Sequence, residues 1–237
     1  MGDDGWNASA KAWIADMGET GDYGRQWVLD GPMIARLRRL TPGRALDVGC
    51  GEGRFCRILR QEGFDPVGVD PTVALLEAAR ARDPRGLYVE GRGEALDFPD
   101  ASFDLVVSCL SLIDIEHADR AIAEMARVLR PGGTLLVANL TSFSTAAEGE
   151  GWRRDASDRP THFGIDRYLE PRAAWQSWRG IRILNWHRPL RDYMQWFLEQ
   201  GLILTHFDEP EPTGGPSDRG ERYRRVPWYV IMEWRKP

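Results

Sequence analysis

The residues most able to do chemistry lie in the stretch RALDVGCGEGRF, Arg44 to Phe55. Gly49, Gly51 and Gly53 alternate directly after a short apolar run that holds Asp47, and they remove side chains where a ligand must touch the backbone. The helix expected next would offer unpaired N–H groups to an anion. Asp70 closes the following apolar run, PVGVD (66–70). A carboxylate there can take both hydroxyls of a ribose, each charge-assisted bond being worth about 1.5–3 kcal/mol. The pattern therefore points to a nucleotide-containing cofactor. A dinucleotide would use the same aspartate, so the loop has to discriminate. The dinucleotide fingerprint is G-x-G-x-x-G, whereas Gly49 to Arg54 reads G-C-G-E-G-R. Arg54 takes the position of a small residue, and Glu52 would bring negative charge to a pyrophosphate. An NAD-dependent oxidoreductase is thus the disfavoured alternative, and a binding module without catalysis is a third.

Such a loop needs a parallel sheet to hold it. RALDV (44–48), PVGVD (66–70), GLYVE (86–90), FDLVVSCL (103–110) and TLLVANL (134–140) read as strands. RFCRILRQEG (54–63), TVALLEAARARD (72–83) and ADRAIAEMARVLR (118–130) read as helices between them, with Thr72 as an N-cap. Strands separated by helices of this length imply right-handed crossovers in a parallel sheet. Ligands then bind beyond the carboxyl ends of the strands. Residues 141–188 are rich in Ser, Gly, Arg and Trp and carry no long period, which suggests an insertion over the sheet. PLRDYMQWFLEQG (189–201) returns to helical spacing, and LILTHFDE (202–209) and PWYVIMEW (227–234) read as two strands joined by a Pro/Gly-rich, mobile loop. The expected divisions are a helical cover (1–40), a cofactor-binding core (41–140), an acceptor-site insertion (141–188) and a C-terminal helix with two strands (189–237).

Composition bounds the class. The 237 residues are 42% hydrophobic and 28% charged, which is ordinary globular usage. The net charge of −5 argues against nucleic acid as the main partner, which would need a clustered positive surface. Three cysteines without a CxxC pair suit a reducing compartment, and four scattered histidines suggest no metal. MGDDGWNASA has no apolar signal-peptide core, and no apolar run approaches membrane-spanning length. The expectation is a cytoplasmic protein, with oligomeric state left open.

LDVGCGEGR (46–54), VGVDPT (67–72), GRGEALDFPDASFDLVVS (91–108) and RVLRPGGTLLVANL (127–140) resemble, in order and spacing, the successive motifs of class I S-adenosylmethionine-dependent methyltransferases. The resemblance continues more weakly through residues 187–212. It implies a Rossmann-like, doubly wound, seven-stranded α/β sheet, mostly parallel with the last strand antiparallel, and an insertion or flap after strand five. It also implies roles. Asp47 would orient the loop and the cofactor's amino group, Gly49, Cys50, Gly51 and Gly53 would form the loop around the methionine portion, and Asp70 would hold the ribose. Pro71 and Thr72 would flank the adenine, with Gly93, Glu94 and Ala95 along its edge. Ser108 and Cys109 would end strand four beside the sulfonium. Arg92 and Gly93 replace the aspartate and alanine frequent in the family, so a side-chain bond from residue 92 to adenine is not expected. Arg25, in a segment that folds over the cofactor, would reach the methionine carboxylate.

The implied reaction moves a methyl group from S-adenosylmethionine to oxygen or nitrogen of a small-molecule acceptor, leaving S-adenosylhomocysteine. Its main demands are in-line placement and exclusion of water. A general base adds about 10²–10⁴-fold if the acceptor is protonated. Asp114, near the strand-four exit, and His162 and His187, in or beside the insertion, are the candidates. Trp152, Phe163, Tyr168, Trp175, Trp178 and Trp186 make the insertion aromatic, and residues 165–186 read as a two-stranded flap roofing a largely apolar acceptor pocket.

Overall fold

The computed structural model of the chain describes residues 4–237, apart from the side chains of Glu148, Glu150 and Asp218. The first three residues of the expected helical cover lie outside the described residues. The core strands are β1 (Arg44–Val48), β2 (Asp65–Asp70), β3 (Leu87–Glu90), β4 (Phe103–Cys109) and β5 (Leu129–Leu140). Two strands near the C-terminus, β10 (Ile203–Asp208) and β11 (Tyr229–Arg235), complete a seven-stranded sheet in the order β10-β11-β5-β4-β1-β2-β3. All pairings among β1 to β5 are parallel, and β11 runs antiparallel to both β5 and β10. The fold is therefore the expected one, with the last strand lying between its two neighbours rather than at the edge.

Burial explains why short apolar runs suffice for these strands: four of the five residues of β1 and all seven of β11 except Arg235 are buried. On one face of the sheet, α5 (Ala118–Val128) and α7 (Leu190–Glu199) pack Ile122, Met125, Tyr193 and Phe197 against Val106, Val137 and Trp234. On the other, α2 (Asp30–Leu37) and α3 (Arg54–Gln61) pack Met33, Leu37, Phe55 and Leu59 against Leu105, Leu136 and Ile231. Helix α4 (Val73–Arg82) follows β2 with Thr72 at its N-cap position, but the Thr72 side chain makes no capping bond. Strand order reverses between β4 and β1, so the crevice for a ligand opens beyond the ends of β1, β2 and β4.

Helix α1 (Trp6–Met17) leads to a π-helical turn at Arg25–Leu29 that runs directly into α2. The insertion is more ordered than its sequence suggests. A short helix α6 (Ser142–Thr145) precedes two antiparallel hairpins, β6 (Ala147–Arg154) with β7 (Pro160–Ile165), and β8 (Arg172–Trp178) with β9 (Ile181–His187). The connection expected to be a mobile loop instead contains α8 (Ser217–Arg225). No helix among the described residues is long and apolar enough to cross a membrane.

Candidate active site

The glycine loop is pinned from behind. Gly49 and Cys50 donate their N–H groups to Val69 O at 2.8 and 3.0 Å, Gly51 donates to Asp70 Oδ2 at 2.9 Å, and Gly53 donates to Cys50 O at 2.9 Å. With these amides already engaged, the loop is a poor cradle for a pyrophosphate. What it provides is space. Gly51 has φ +54°, and a Cβ built on it would meet nothing within 4 Å. A Cβ on Gly49 would instead strike the Ser111 side chain at 2.3 Å. Ser111 Oγ bonds to Val48 O at 2.6 Å and to Ser108 Oγ at 2.7 Å, tying the β4 exit to the end of β1.

A pocket partly open to solvent lies in front of this loop. Its wall includes Arg25, Asp47, Gly49, Cys50, Gly51, Asp70, Pro71, Thr72, Gly93, Glu94, Cys109 and Asp114, so twelve of the expected cofactor and catalytic positions come together. Gly53, Ala95 and Ser108 are not among the lining residues. Gly53 caps α3 against Tyr88, Ala95 forms an isolated bridge with Arg92, and Ser108 is fully buried in the serine pair. His162 and His187 are not brought to the pocket either. His162 is exposed on β7 beside Thr161. His187 is buried, its Nδ1 bonded to Thr145 Oγ1 and its Nε2 to Tyr168 O, both at 2.8 Å. Burial lowers the His187 pKa, and with both nitrogens engaged the ring is a structural link between β9 and α6.

The roof also differs from expectation. Trp6, Trp13 and Met17 of α1 line the pocket, and among the described residues none of the insertion does so. The second hairpin acts one layer out. Its Trp178 packs on Trp13 with ring centroids 6.3 Å apart, and Ser9 Oγ donates to Arg182 O and accepts from Arg182 N, each at 2.9 Å. The first hairpin packs Trp152 and Phe163 toward Trp228. Sequence spacing held a clue to the roof, since positions 6, 13 and 17 share one helical face. Leu110, also in the wall, has φ +58°, a left-handed conformation uncommon for a non-glycine residue.

Charge sets the character of the site. The lining cations are engaged with carboxylates: Arg25 with Asp22 at 2.9 Å, Arg54 with Asp30, and Arg92 with Glu94 at 3.2 Å. Glu52 is paired with Arg57 and Arg82, so its charge is neutralised and does not by itself repel a phosphate. That corrects the weight placed on it from sequence. Among the described residues, Asp4, Asp47, Asp70 and Asp114 form no ion pair although all four line the pocket. Burial pushes the Asp47 carboxyl up to about 7, against a hydrogen bond from Cys56 Sγ at 3.4 Å to Oδ2; Oδ1 is buried without a partner. Burial likewise raises Asp70, opposed by the Thr72 and Gly51 amides, and raises Asp114 well above the usual carboxylate range, opposed by Asn185 and then Arg25. Arg25 is held above its ordinary value because nearby anionic groups, Asp22 foremost, outweigh the burial that opposes its charge. Cys50 and Cys109 are pushed by burial to about 11 and about 12, so both are neutral thiols rather than nucleophiles.

This wall suits a ligand rich in hydrogen-bond donors, whose positive charge would favour the ionised form of these buried carboxyls. The buried Asp47 Oδ1, the Gly51 recess and the carboxylate at the end of β2 fit the ammonium, the methionine chain and the ribose of S-adenosylmethionine. Residues 46–137 match the family model described as a methyltransferase domain. Over that stretch, fold and family model agree on a class I S-adenosylmethionine-dependent methyltransferase domain, a class whose cofactor is that nucleoside. Over 150 residues (63% of this chain and 58% of the relative) the sequence is 33% identical to a malonyl-[acyl-carrier protein] O-methyltransferase of Enterobacter lignolyticus. Over 122 residues (48% of this chain and 52% of the relative) it is 37% identical to a demethylmenaquinone methyltransferase of Renibacterium salmoninarum. The chain thus spans little more than half the length of these curated relatives. A solved S-adenosylmethionine dependent methyltransferase from Mesorhizobium loti superposes with TM-score 0.72 at 29% identity, covering 85% of this chain and 96% of that one. A Listeria monocytogenes structure, proposed to be an enzyme of the same class, reaches 0.76 at 22% identity over 88% and 99%, a likeness of fold.

Proposed function

We propose that this protein is an S-adenosylmethionine-dependent methyltransferase acting on an oxygen or nitrogen of a small-molecule acceptor. The observation that carries the reading is the pocket wall itself: four aspartates without ion-pair partners among the described residues, beside a glycine recess at the switch point of the sheet. Asp70 would hold the ribose hydroxyls, Asp47 the amino group, and Arg25, with donors beyond those given to Asp22, the methionine carboxylate. Thr72, Pro71 and Leu75 would flank the adenine, with Gly93 and Glu94 at its edge. When bound, S-adenosylmethionine would supply a methyl group on a sulfonium, a leaving group that would keep the C–S electrons when the methyl passes to the acceptor's lone pair. Cys109 and Leu110 lie at the end of β4, where the acceptor would meet that carbon. Asp114 Oδ2 would receive the proton that the acceptor loses.

Both named relatives are methyltransferases, and the name of the first specifies transfer to oxygen. The apolar part of the wall (Trp6, Trp13, Met17, Phe55, Leu110 and Ile115) favours a partly apolar metabolite. The net charge of −5 disfavours nucleic acid, and the cytoplasm suits its free thiols. The test is turnover of methyl-labelled S-adenosylmethionine against a panel of hydroxyl and amine acceptors. Label appearing in an acceptor supports the reading. Cofactor binding with no transfer to any member would support the binding module instead.

A further inference from the structure

Segment 112–116, between β4 and α5, carries Asp114 and is gripped by the last strand of the insertion and the residue after it. Trp186 N donates to Ile113 O at 2.7 Å. Arg188 donates to Leu112 O at 3.2 Å, to Ile115 O at 2.6 Å and to Glu116 O at 2.8 Å. Between these backbone clamps, Asn185 Nδ2 donates to Asp114 Oδ1. Asp114 N bonds to Ser111 O at 2.9 Å, and Oδ2 makes no hydrogen bond among the described residues while its residue lines the pocket. One carboxylate oxygen is thus fixed by the insertion, and the other is left without a hydrogen bond among the described residues.

We propose that Asn185 is a positioning residue: through its bond to Asp114 Oδ1 it aims Oδ2 at an acceptor hydroxyl or N–H and keeps that carboxylate able to accept the proton. The proposal rests on the methyltransferase reading and narrows it to acceptors whose reacting atom carries a proton. The proton moves from the acceptor oxygen or nitrogen to Oδ2 as the new bond to carbon forms, and charge balances because the cofactor's sulfonium becomes a neutral thioether. The groups facing Asp114 come from four places. Asn185 on β9 and Arg25 on the π turn favour its ionised form, while Asp70 at the end of β2 and Asp4 ahead of α1 disfavour it. Burial disfavours it most, so the donor on Asn185 matters in proportion. Removing that donor should push the carboxyl higher and free it to rotate.

The experiment is a carbon-detected NMR titration of side-chain carboxyls in the full chain with S-adenosylhomocysteine added, the Asp114 signal being assigned by its loss in Asp114→Asn. In Asn185→Leu the Asp114 midpoint should rise by about one pH unit or more, a tenfold change in acidity. In Asn185→Gln, which keeps a donor, it should stay closer to the parent, and cofactor-product affinity should remain within about threefold in both. If Asn185→Leu does not fold, Asn185→Gln against Asn185→Asp makes the same comparison, with the midpoint raised in the latter. An unchanged midpoint with S-adenosylhomocysteine bound overturns the role of Asn185. Failure of S-adenosylhomocysteine to bind the parent protein overturns the methyltransferase reading on which it rests.

Discussion

Gly51 N donates to Asp70 Oδ2 at 2.9 Å, so the glycine loop after β1 and the carboxylate at the end of β2 are built as one unit. The same carboxylate takes the Thr72 amide on Oδ1 at 2.8 Å. Asp70 therefore shapes the cofactor recess before any ligand arrives, and each of its oxygens retains a further lone pair for a ribose hydroxyl.

Replacing this carboxylate removes both functions. Asp70→Ala should weaken S-adenosylhomocysteine binding by roughly 10- to 100-fold, the size expected for losing charge-assisted bonds. Calorimetry measures it, and unchanged affinity would remove Asp70 from the site.

Gly51 makes a steric prediction. Its φ of +54° strains any L-residue, and the added side chain would stand in the empty recess. Gly51→Val should abolish binding while the protein, with no neighbour to displace, still melts cooperatively. A Gly51→Val protein that binds the cofactor product normally would mean that the recess is not where the methionine chain lies.

Asp47 gives the protein a pH signature. Its carboxyl is raised from the ordinary acidic range to about 7, so ionising it costs the folded state more than the unfolded one. Its contribution to stability is greatest below about pH 4 and is lost as the pH climbs to about 7. Asp47→Asn should therefore stabilise the ligand-free protein above pH 7, by about 1–4 kcal/mol, and much less near pH 4. Urea unfolding at both pH values distinguishes this from a general packing effect, for which the gain would not depend on pH.

Ser9 tests how the roof is held. Its hydroxyl serves both the N–H and the C=O of Arg182, joining α1 to β9. Ser9→Ala leaves those two backbone groups short of a partner, which should cost about 1–3 kcal/mol and loosen Trp6 and Trp13 over the pocket. A lower melting temperature together with weaker S-adenosylhomocysteine binding is expected. A normal melt with normal affinity would show that α1 is held by packing alone.

The core of the site was legible because its signals are local. An apolar run stopped by glycine gives a strand end, Asp70 at the next strand end gives the acidic partner, and the topology then forces the two together. The roof was legible only in part: a helical cover at 1–40 was expected, but which of its faces covers the site depends on distant contacts. Trp6 and Trp13 show that α1 has an apolar face, but nothing nearby in sequence says that this face covers the glycine loop. The tryptophans of the insertion carry the same composition signal as a substrate cage, yet Trp178 spends its surface on Trp13. His187 was drawn toward catalysis by its type, although Thr145 and Tyr168 occupy both of its nitrogens. Helix α8, SDRGERYRR, has no apolar face and contains a glycine. Tyr223, stacked on Tyr23 and Tyr229, docks it, a contact that no helical period announces.

The central claim is that the carboxylate-lined recess takes S-adenosylmethionine and not a dinucleotide. Calorimetry of the full chain with S-adenosylhomocysteine and, separately, with NAD tests it most directly. S-adenosylhomocysteine should bind in the micromolar range, about −8 kcal/mol, and at a hundredfold excess over its Kd should stabilise the fold by about 2.7 kcal/mol. NAD should show neither heat nor thermal shift at millimolar concentration. Binding of NAD with no response to S-adenosylhomocysteine would contradict the account at its base.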